Sequence, residues 1–76
     1  GDLTMKKRLS FTNLDCANCA AKMEAAIAKL DGVHSVSVSF FSQKMTLDAD
    51  DERFDAILQE AAKICKKIEP DCVLHI

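Results

Sequence analysis

The stretch LDCANCAAKMEAAIAKLDGVHSVSVSF, residues 14–40, contains a cysteine pair, a helical pattern, a glycine and an alternating strand pattern, in that order. Apolar residues recur at steps of three and four, which predicts an amphipathic helix from about Asn18 to Leu30; they are Ala20, Met23, Ile27 and Leu30. Asp31-Gly32 is predicted to end this helix, because glycine readily adopts the left-handed conformation of a helix C-cap. The apolar residues of the next segment alternate with serines, which predicts a half-buried strand; they are Val36, Val38 and Phe40.

The flanking segments extend the same alternation of strands and helices. A first strand is predicted from Met5 to Phe11, and a loop from Asn13 to Ala17 joins it to the helix. After the second strand, Ser42-Gln43 is a short connection to a third strand, in which Met45 and Leu47 alternate with polar residues.

A second helix follows, with a long apolar stripe made of Phe54, Ile57, Leu58, Ala61, Ile64, Cys65 and Ile68. Pro70 ends it, and Cys72–Ile76 is predicted to be the last strand. The order βαββαβ predicts an α+β fold, a ferredoxin-like sandwich in which two helices cover one face of a four-stranded antiparallel sheet.

Strand direction predicts which segments meet at each end of the sheet. The cysteine loop, residues 41–43 and residues 69–72 are expected at one end, called the upper end below. His34, His75 and the acidic cluster are expected at the lower end, which places both histidines far from the cysteine pair. The acidic cluster is predicted to cap the second helix rather than to bind a cation; its members are Asp48, Asp50, Asp51, Glu52 and Asp55.

Composition limits the class of protein. The chain has 76 residues, which corresponds to one small domain, predicted from Met5 to Ile76 after a flexible lead-in or cloning remnant at residues 1–4. A net charge of −2 gives no basic footprint for nucleic acid. No apolar run is long enough to span a membrane, and no secretory signal is visible, so neither direct membrane insertion nor export is expected.

The four cysteines permit several chemistries. Their uneven spacing in a chain rich in regular structure favours reduced, intracellular thiols over a disulfide scaffold. Cys19 is expected in the first helical turn, where the helix dipole would lower its thiol pKa. Cys65 lies on the apolar stripe and is predicted to be a core residue, while Cys72 is predicted to be buried or, as the alternative, a third sulfur near Cys16.

Asp15, directly before the first cysteine, has two interpretations. As a ligand it would add a hard oxygen donor, which suits Zn²⁺ or Cd²⁺ better than Cu⁺. Charge agrees, because Zn²⁺ with two thiolates and one carboxylate sums to −1, whereas Cu⁺ with two thiolates already carries −1. As a structural residue it would be an ordinary N-cap of the helix.

These residues resemble the heavy-metal-associated domain, which occurs as a free copper chaperone and as the cytosolic N-terminal module of metal-transporting P-type ATPases. In that family the loop commonly reads Gly-Met-x-Cys-x-x-Cys, and here Asn13 and Leu14 occupy the Gly-Met positions. The resemblance implies that Leu14 packs under the loop and that Asn13 tolerates a left-handed backbone. The family's aromatic residue or lysine before the last strand is not evident in IEPDC, residues 68–72.

The resemblance also implies a function. Asp before the first cysteine is similar to the zinc, cadmium and lead branch of the ATPases, whereas Thr is frequent in copper members. The expected site is therefore Cys16, Cys19 and Asp15, binding Zn²⁺, Cd²⁺ or Pb²⁺, with no catalytic residue. The expected partners are the metal ion and either the remaining domains of a parent pump in the plasma membrane or a metal donor protein.

Three alternatives stay open on the sequence. A Cu⁺ chaperone or copper-pump module would need only Cys16 and Cys19. A dithiol oxidoreductase would use the same pair, although Ala17-Asn18 lacks the proline often found between redox cysteines. A closed structural zinc site would require all four cysteines.

Overall fold

A computed structural model describes residues 3–76 and has the predicted βαββαβ order. The elements are β1 (Thr4–Thr12), α1 (Ala17–Ala28), β2 (Val33–Ser39), β3 (Lys44–Asp50), a 3₁₀ turn (Asp51–Arg53), α2 (Phe54–Ile68) and β4 (Val73–His75). β1 thus begins at Thr4, inside the predicted lead-in. Gly1 and Asp2 of that lead-in lie outside the described residues.

The four strands form one antiparallel sheet in the order β2-β3-β1-β4, which confirms the ferredoxin-like prediction. β1 and β3 pair along their lengths from Thr4 opposite Asp50 to Ser10 opposite Lys44. This central pair places Leu9 beside Met45, and both side chains are buried under the helices. The alternation of apolar and polar residues therefore fixes the register, because a shift by one residue would expose the buried set.

The core lies between the sheet and the two helices. Side chains with no solvent exposure come from the cysteine loop, from α1, from β3 and from α2; they are Leu14, Met23, Ile27, Met45, Leu47, Ala49 and Ala61. Cys65 and Cys72 are 1% and 2% exposed, which confirms the prediction that both belong to the core. Each behaves as a small apolar residue at its position.

The turn after α1 depends on glycine, as predicted. α1 ends at Ala28, slightly before the predicted Leu30, and Lys29 is its C-cap. Gly32 then takes a φ of +96°, which only glycine adopts readily, and its carbonyl accepts a hydrogen bond from the Asp50 backbone at 2.9 Å. This bond fixes the start of β2 against the end of β3.

The prediction that the acidic cluster caps the second helix is wrong for its first two members. Asp48 and Asp50 belong to β3, because pairing with β1 continues to the end of that strand. Arg53 is the N-cap of α2, and neither it nor Asp50 at the 3₁₀ turn makes a side-chain capping hydrogen bond. Asp50 instead bonds His34 at 2.7 Å, which holds the pKa of this carboxyl below its usual value.

The two histidines lie in different halves of the sheet, although both were predicted at the lower end. His34 lies at the lower end beside the last residue of β3, as expected. The prediction for His75 is wrong, because β4 is only three residues long and His75 pairs with Ser10. Its Nε2 lies 2.6 Å from the Thr12 hydroxyl, in the upper half of the sheet.

Replacement of Gly32 by alanine is expected to destabilise the domain by about 1–3 kcal/mol. The positive φ is strained for an L-residue, and an added Cβ would lie 3.1 Å from the Ile57 side chain. Urea unfolding measures the loss, and Ser42→Ala in an exposed turn is the control. A Gly32→Ala variant as stable as the parent would contradict this account.

Candidate metal centre

The loop that carries the cysteine pair is anchored by the two residues in front of it. Asn13 has a left-handed backbone with φ 65°, and its side-chain amide donates to the Asp71 carbonyl at 3.4 Å. Leu14 is fully buried beneath the loop. Both match what the resemblance implied for the Gly-Met positions, and together they turn the chain sharply between β1 and α1.

Gln43 holds this loop from the neighbouring turn, a role that the sequence analysis missed. The Leu14 N–H donates to the Gln43 side-chain oxygen at 2.8 Å, and the Gln43 amide donates to the Leu14 carbonyl and to the Phe40 carbonyl. The Gln43 main-chain carbonyl accepts from Phe11 N–H at 2.7 Å. The sequence predicts that residues 41–43 lie at the upper end, near the cysteine loop. It does not indicate that the Gln43 side chain contacts that loop.

Cys16 and Cys19 form a close pair across the start of α1. Cys16 is the N-cap, with an extended backbone, and its Sγ accepts the Cys19 backbone N–H at 3.2 Å. The alternative that Asp15 is the N-cap is therefore wrong. Asp15 is solvent-exposed, while both cysteines are half-buried and free of disulfides.

The two thiols of the pair have different acidities. A hydrogen bond from the Cys19 thiol lowers the pKa of Cys16, and backbone N–H groups of Cys19 and Asn18 lower it further. Donating that bond raises the pKa of Cys19 to about 11, with contributions from burial and from the nearby charges of Cys16 and Glu69. The prediction that the helix start lowers the Cys19 pKa is thus wrong, because the capping position is held by Cys16. Cys16 is therefore the thiol of the pair that loses its proton more readily.

Glu69 lies beside this pair, and the sequence analysis did not single it out. Its Oε2 is 3.8 Å from the Cys19 Sγ, although the two residues are 50 positions apart. The residue is half-buried and is the C-cap of α2. The sequence predicts residues 69–72 at the upper end, but it singles out only Cys72 among them as a possible metal ligand.

The remaining cysteines stay in the core. Burial is the main cause that raises the pKa of Cys65 to about 12 and also raises that of Cys72. Within residues 3–76, no three side chains of His, Cys, Asp or Glu are already arranged to surround an ion. The closed site of four cysteines is therefore not formed, and among the described residues Cys16 and Cys19 lie together without Asp15 beside them.

Comparison with known proteins places this geometry in a family. The sequence model of the heavy-metal-associated domain matches residues 8–72, so the chain belongs to that family. The zinc/cadmium/lead-transporting P-type ATPase of Escherichia coli (strain K12) is 40% identical over 53 residues, 66% of this chain and 7% of the ATPase. The copper chaperone CopZ of Enterococcus hirae is 30% identical over 64 residues, 84% of this chain and 86% of CopZ.

A solved structure confirms the fold. The Cu(I)-loaded N-terminal domain of a potential copper-translocating P-type ATPase from Bacillus subtilis superimposes with a TM-score of 0.78, covering 97% of this chain and 88% of that domain. The two are 22% identical, so this likeness bears on the fold alone. None of the helices between residues 3 and 76 is long and apolar enough to traverse a lipid bilayer.

The unequal acidities predict the order of thiol alkylation in the reduced, metal-free protein. Near neutral pH iodoacetamide should modify Cys16 before Cys19, because the thiolate is the nucleophile and only the Cys16 pKa is lowered. Peptide mapping by mass spectrometry after short labelling at several pH values measures this order. Faster labelling of Cys19 would contradict the assignment of Cys16 as the thiolate.

Variants of Cys19 distinguish two causes of the lowered Cys16 pKa, the hydrogen bond from the Cys19 thiol and the backbone N–H groups at the start of α1. Cys19→Ala removes the donor thiol but keeps the backbone N–H, so the pH midpoint of Cys16 labelling should move upward. Cys19→Ser keeps a hydroxyl donor and is the matched control, with a smaller shift. Equal midpoints in both variants and the parent would contradict a role for the side-chain bond.

Proposed function

We propose that this domain binds Zn²⁺, Cd²⁺ or Pb²⁺ through Cys16, Cys19 and Asp15, as the cytosolic metal-binding module of a heavy-metal-exporting P-type ATPase. The observation that carries the proposal is the half-buried pair of free thiols at the exposed upper end, with Asp15 directly before it in the chain. The parent pump would reside in the plasma membrane. This domain would bind and hand over metal, without catalysis of its own.

The choice of a divalent ion rests on donor chemistry. Two thiolates supply soft donors that suit Zn²⁺ and Cd²⁺, but they leave a zinc ion short of its usual four ligands. A carboxylate at Asp15 supplies a third donor and brings the sum of charges to −1. The exposed position of Asp15 leaves its side chain able to turn toward an ion held by the thiols. Similarity to the Escherichia coli zinc/cadmium/lead-transporting ATPase supports the same class of metal.

Metal would pass by ligand exchange. Cys16 and Cys19 are only half-buried, so a thiolate from a donor or acceptor can approach the ion from solvent. One new metal–sulfur bond then forms as one existing metal–ligand bond breaks, and the ion is not released into water. Reduced thiols are needed throughout, which fits the reducing conditions of the cytosol.

A Cu⁺ site is the second candidate function. Two close thiols satisfy Cu⁺ without any further donor, and the chaperone CopZ matches over most of both chains. In that case the carboxylate of Asp15 would not touch the ion. Zinc and copper binding therefore differ in their dependence on this side chain.

Metal titration of the reduced protein distinguishes the two functions. Asp15→Ala should lower the affinity for Zn²⁺ and Cd²⁺ at least about tenfold, or ~1.4 kcal/mol, and leave Cu⁺ affinity within about twofold. Competition with a chromophoric chelator measures each affinity, and Asp55→Ala, exposed in the first turn of α2, is the control. Zn²⁺ and Cd²⁺ affinities unchanged by Asp15→Ala would overturn the ligand role of Asp15.

A further inference from the structure

The face of the sheet that the helices leave uncovered, called the open face below, carries a cavity of about 370 Å³ next to the β2–β3 turn. Odd-numbered residues of β1 and β3, such as Leu9 and Met45, face the helices, so the even-numbered residues between them lie on the open face. The cavity is lined by two cations and four hydroxyl groups, with no carboxylate among them; the residues are Arg8, Ser37, Ser39, Ser42, Lys44 and Thr46.

Strand pairing brings the two cations close together. Arg8 lies opposite Thr46 in the β1–β3 ladder, and Lys44 precedes Thr46 by two residues on the same face. Arg8 and Lys44 are therefore diagonal neighbours, at about 7 Å between Cβ atoms, and their long side chains can reach a common point. On the other side of β3, Ser37 and Ser39 lie opposite the same two β3 residues, so hydroxyl groups complete the lining.

Arg8 and Lys44 have no anionic partner among the described residues. None of the ion pairs within residues 3–76 includes either side chain. The two carboxylates of β3 lie nearer the lower end, where Asp48 is opposite Lys6 and Asp50 is bonded to a histidine. The upper half of the open face therefore carries an excess of positive charge, on a chain whose net charge is −2.

The lining is rich in hydrogen-bond donors. Ser39 Oγ accepts the Ser42 N–H at 3.4 Å, which leaves its hydroxyl hydrogen for a ligand. Arginine presents its N–H groups in a planar fork that matches the oxygens of a phosphate, and lysine adds a mobile point charge. A phosphate group carries about −1.5 to −2 charges at neutral pH and presents three acceptor oxygens. Donors and positive charge in the cavity therefore match acceptors and negative charge in such a group.

We infer that this cavity binds a phosphate group, as inorganic phosphate or as the phosphomonoester of a small soluble molecule. Arg8 and Lys44 hold the phosphate oxygens from two sides, and the serine hydroxyls donate to the oxygens that remain. The lining contains no aromatic ring on which a nucleic-acid base could stack, so the phosphate group itself is recognised. The site uses none of the proposed metal ligands, and the inference does not depend on the proposed function.

Titration of the ¹⁵N-labelled, reduced and metal-free protein with inorganic phosphate tests the inference, with chloride added to keep the ionic strength constant. We expect saturable amide shifts around Thr46, with a dissociation constant of about 1 mM. Arg8→Gln combined with Lys44→Gln should raise this constant at least about tenfold, because two charge-assisted hydrogen bonds are lost. Lys22→Gln combined with Lys67→Gln removes the same charge from exposed positions on the helices and is the matched control, with a change within about twofold.

A serine variant tests the hydroxyl groups without any change in charge. Ser37→Ala should weaken phosphate binding about threefold, because one hydrogen-bond donor is lost. Ser35→Ala, exposed on the same strand but outside the cavity, is the matched control and should bind like the parent. Circular dichroism checks that each variant keeps the parent fold.

Three results would overturn the inference. Equal weakening in the two double variants would show that phosphate responds only to net charge. Amide shifts that do not saturate, or that spread over the helices, would show that the open face has no site. The third result concerns the source of the phosphate: binding to vesicles of phosphatidylcholine with phosphatidylinositol 4-phosphate, without binding to inorganic phosphate or methyl phosphate, would exclude a soluble ligand.

Discussion

The loop that carries the cysteine pair is held by the buried Leu14 side chain and by two hydrogen bonds between the Gln43 side-chain amide and the Leu14 peptide groups. Full burial of a leucine is worth roughly 1.5–3 kcal/mol, enough to hold a short loop that has no regular structure. Gln43 satisfies both the N–H and the carbonyl of Leu14, groups that would otherwise be left unpaired near the core. Because the chain is fixed at residue 14, Cys16 lies at the N-cap of α1 and Cys19 lies in its first turn. The helical geometry therefore sets the distance between the two cysteines.

That placement gives the two cysteines different states before any metal binds. An N-cap normally accepts a backbone N–H through an oxygen, and here a sulfur fills the position. The capping sulfur collects hydrogen bonds and carries negative charge easily, while the second sulfur keeps its proton by donating to the first. A metal ion must therefore displace a proton from Cys19, and binding to this site releases it to solvent. The cost of removing that proton weakens metal binding as pH falls.

The fold was predictable from sequence because each level of pattern agreed. Val36 and Val38 alternating with serines, the α2 stripe and Gly32 at a left-handed turn all have local causes, and the structure confirms each of them. The errors arose where pairing between distant segments decided the outcome. Asp50 was expected at a helix start, yet pairing with β1 draws it into β3, and the short β4 leaves His75 opposite Ser10. Local propensity carries no information about how far a strand remains paired.

The metal centre was predictable only as far as a single loop encodes it. Cys16 and Cys19 are recognisable because they lie in one motif, whereas Gln43 and Glu69 reach the site from the β2–β3 turn and the end of α2. Both belong to segments that the strand count had assigned to the correct end, but a segment's position does not specify which side chain faces inward. This division also separates two properties of the site. Under the proposed function, the motif would supply soft thiols for the ion, and the side chains around it would supply the charge and hardness that favour one ion over another. Under the proposed function, the choice of ion would therefore depend on side chains that the cysteine motif alone does not specify.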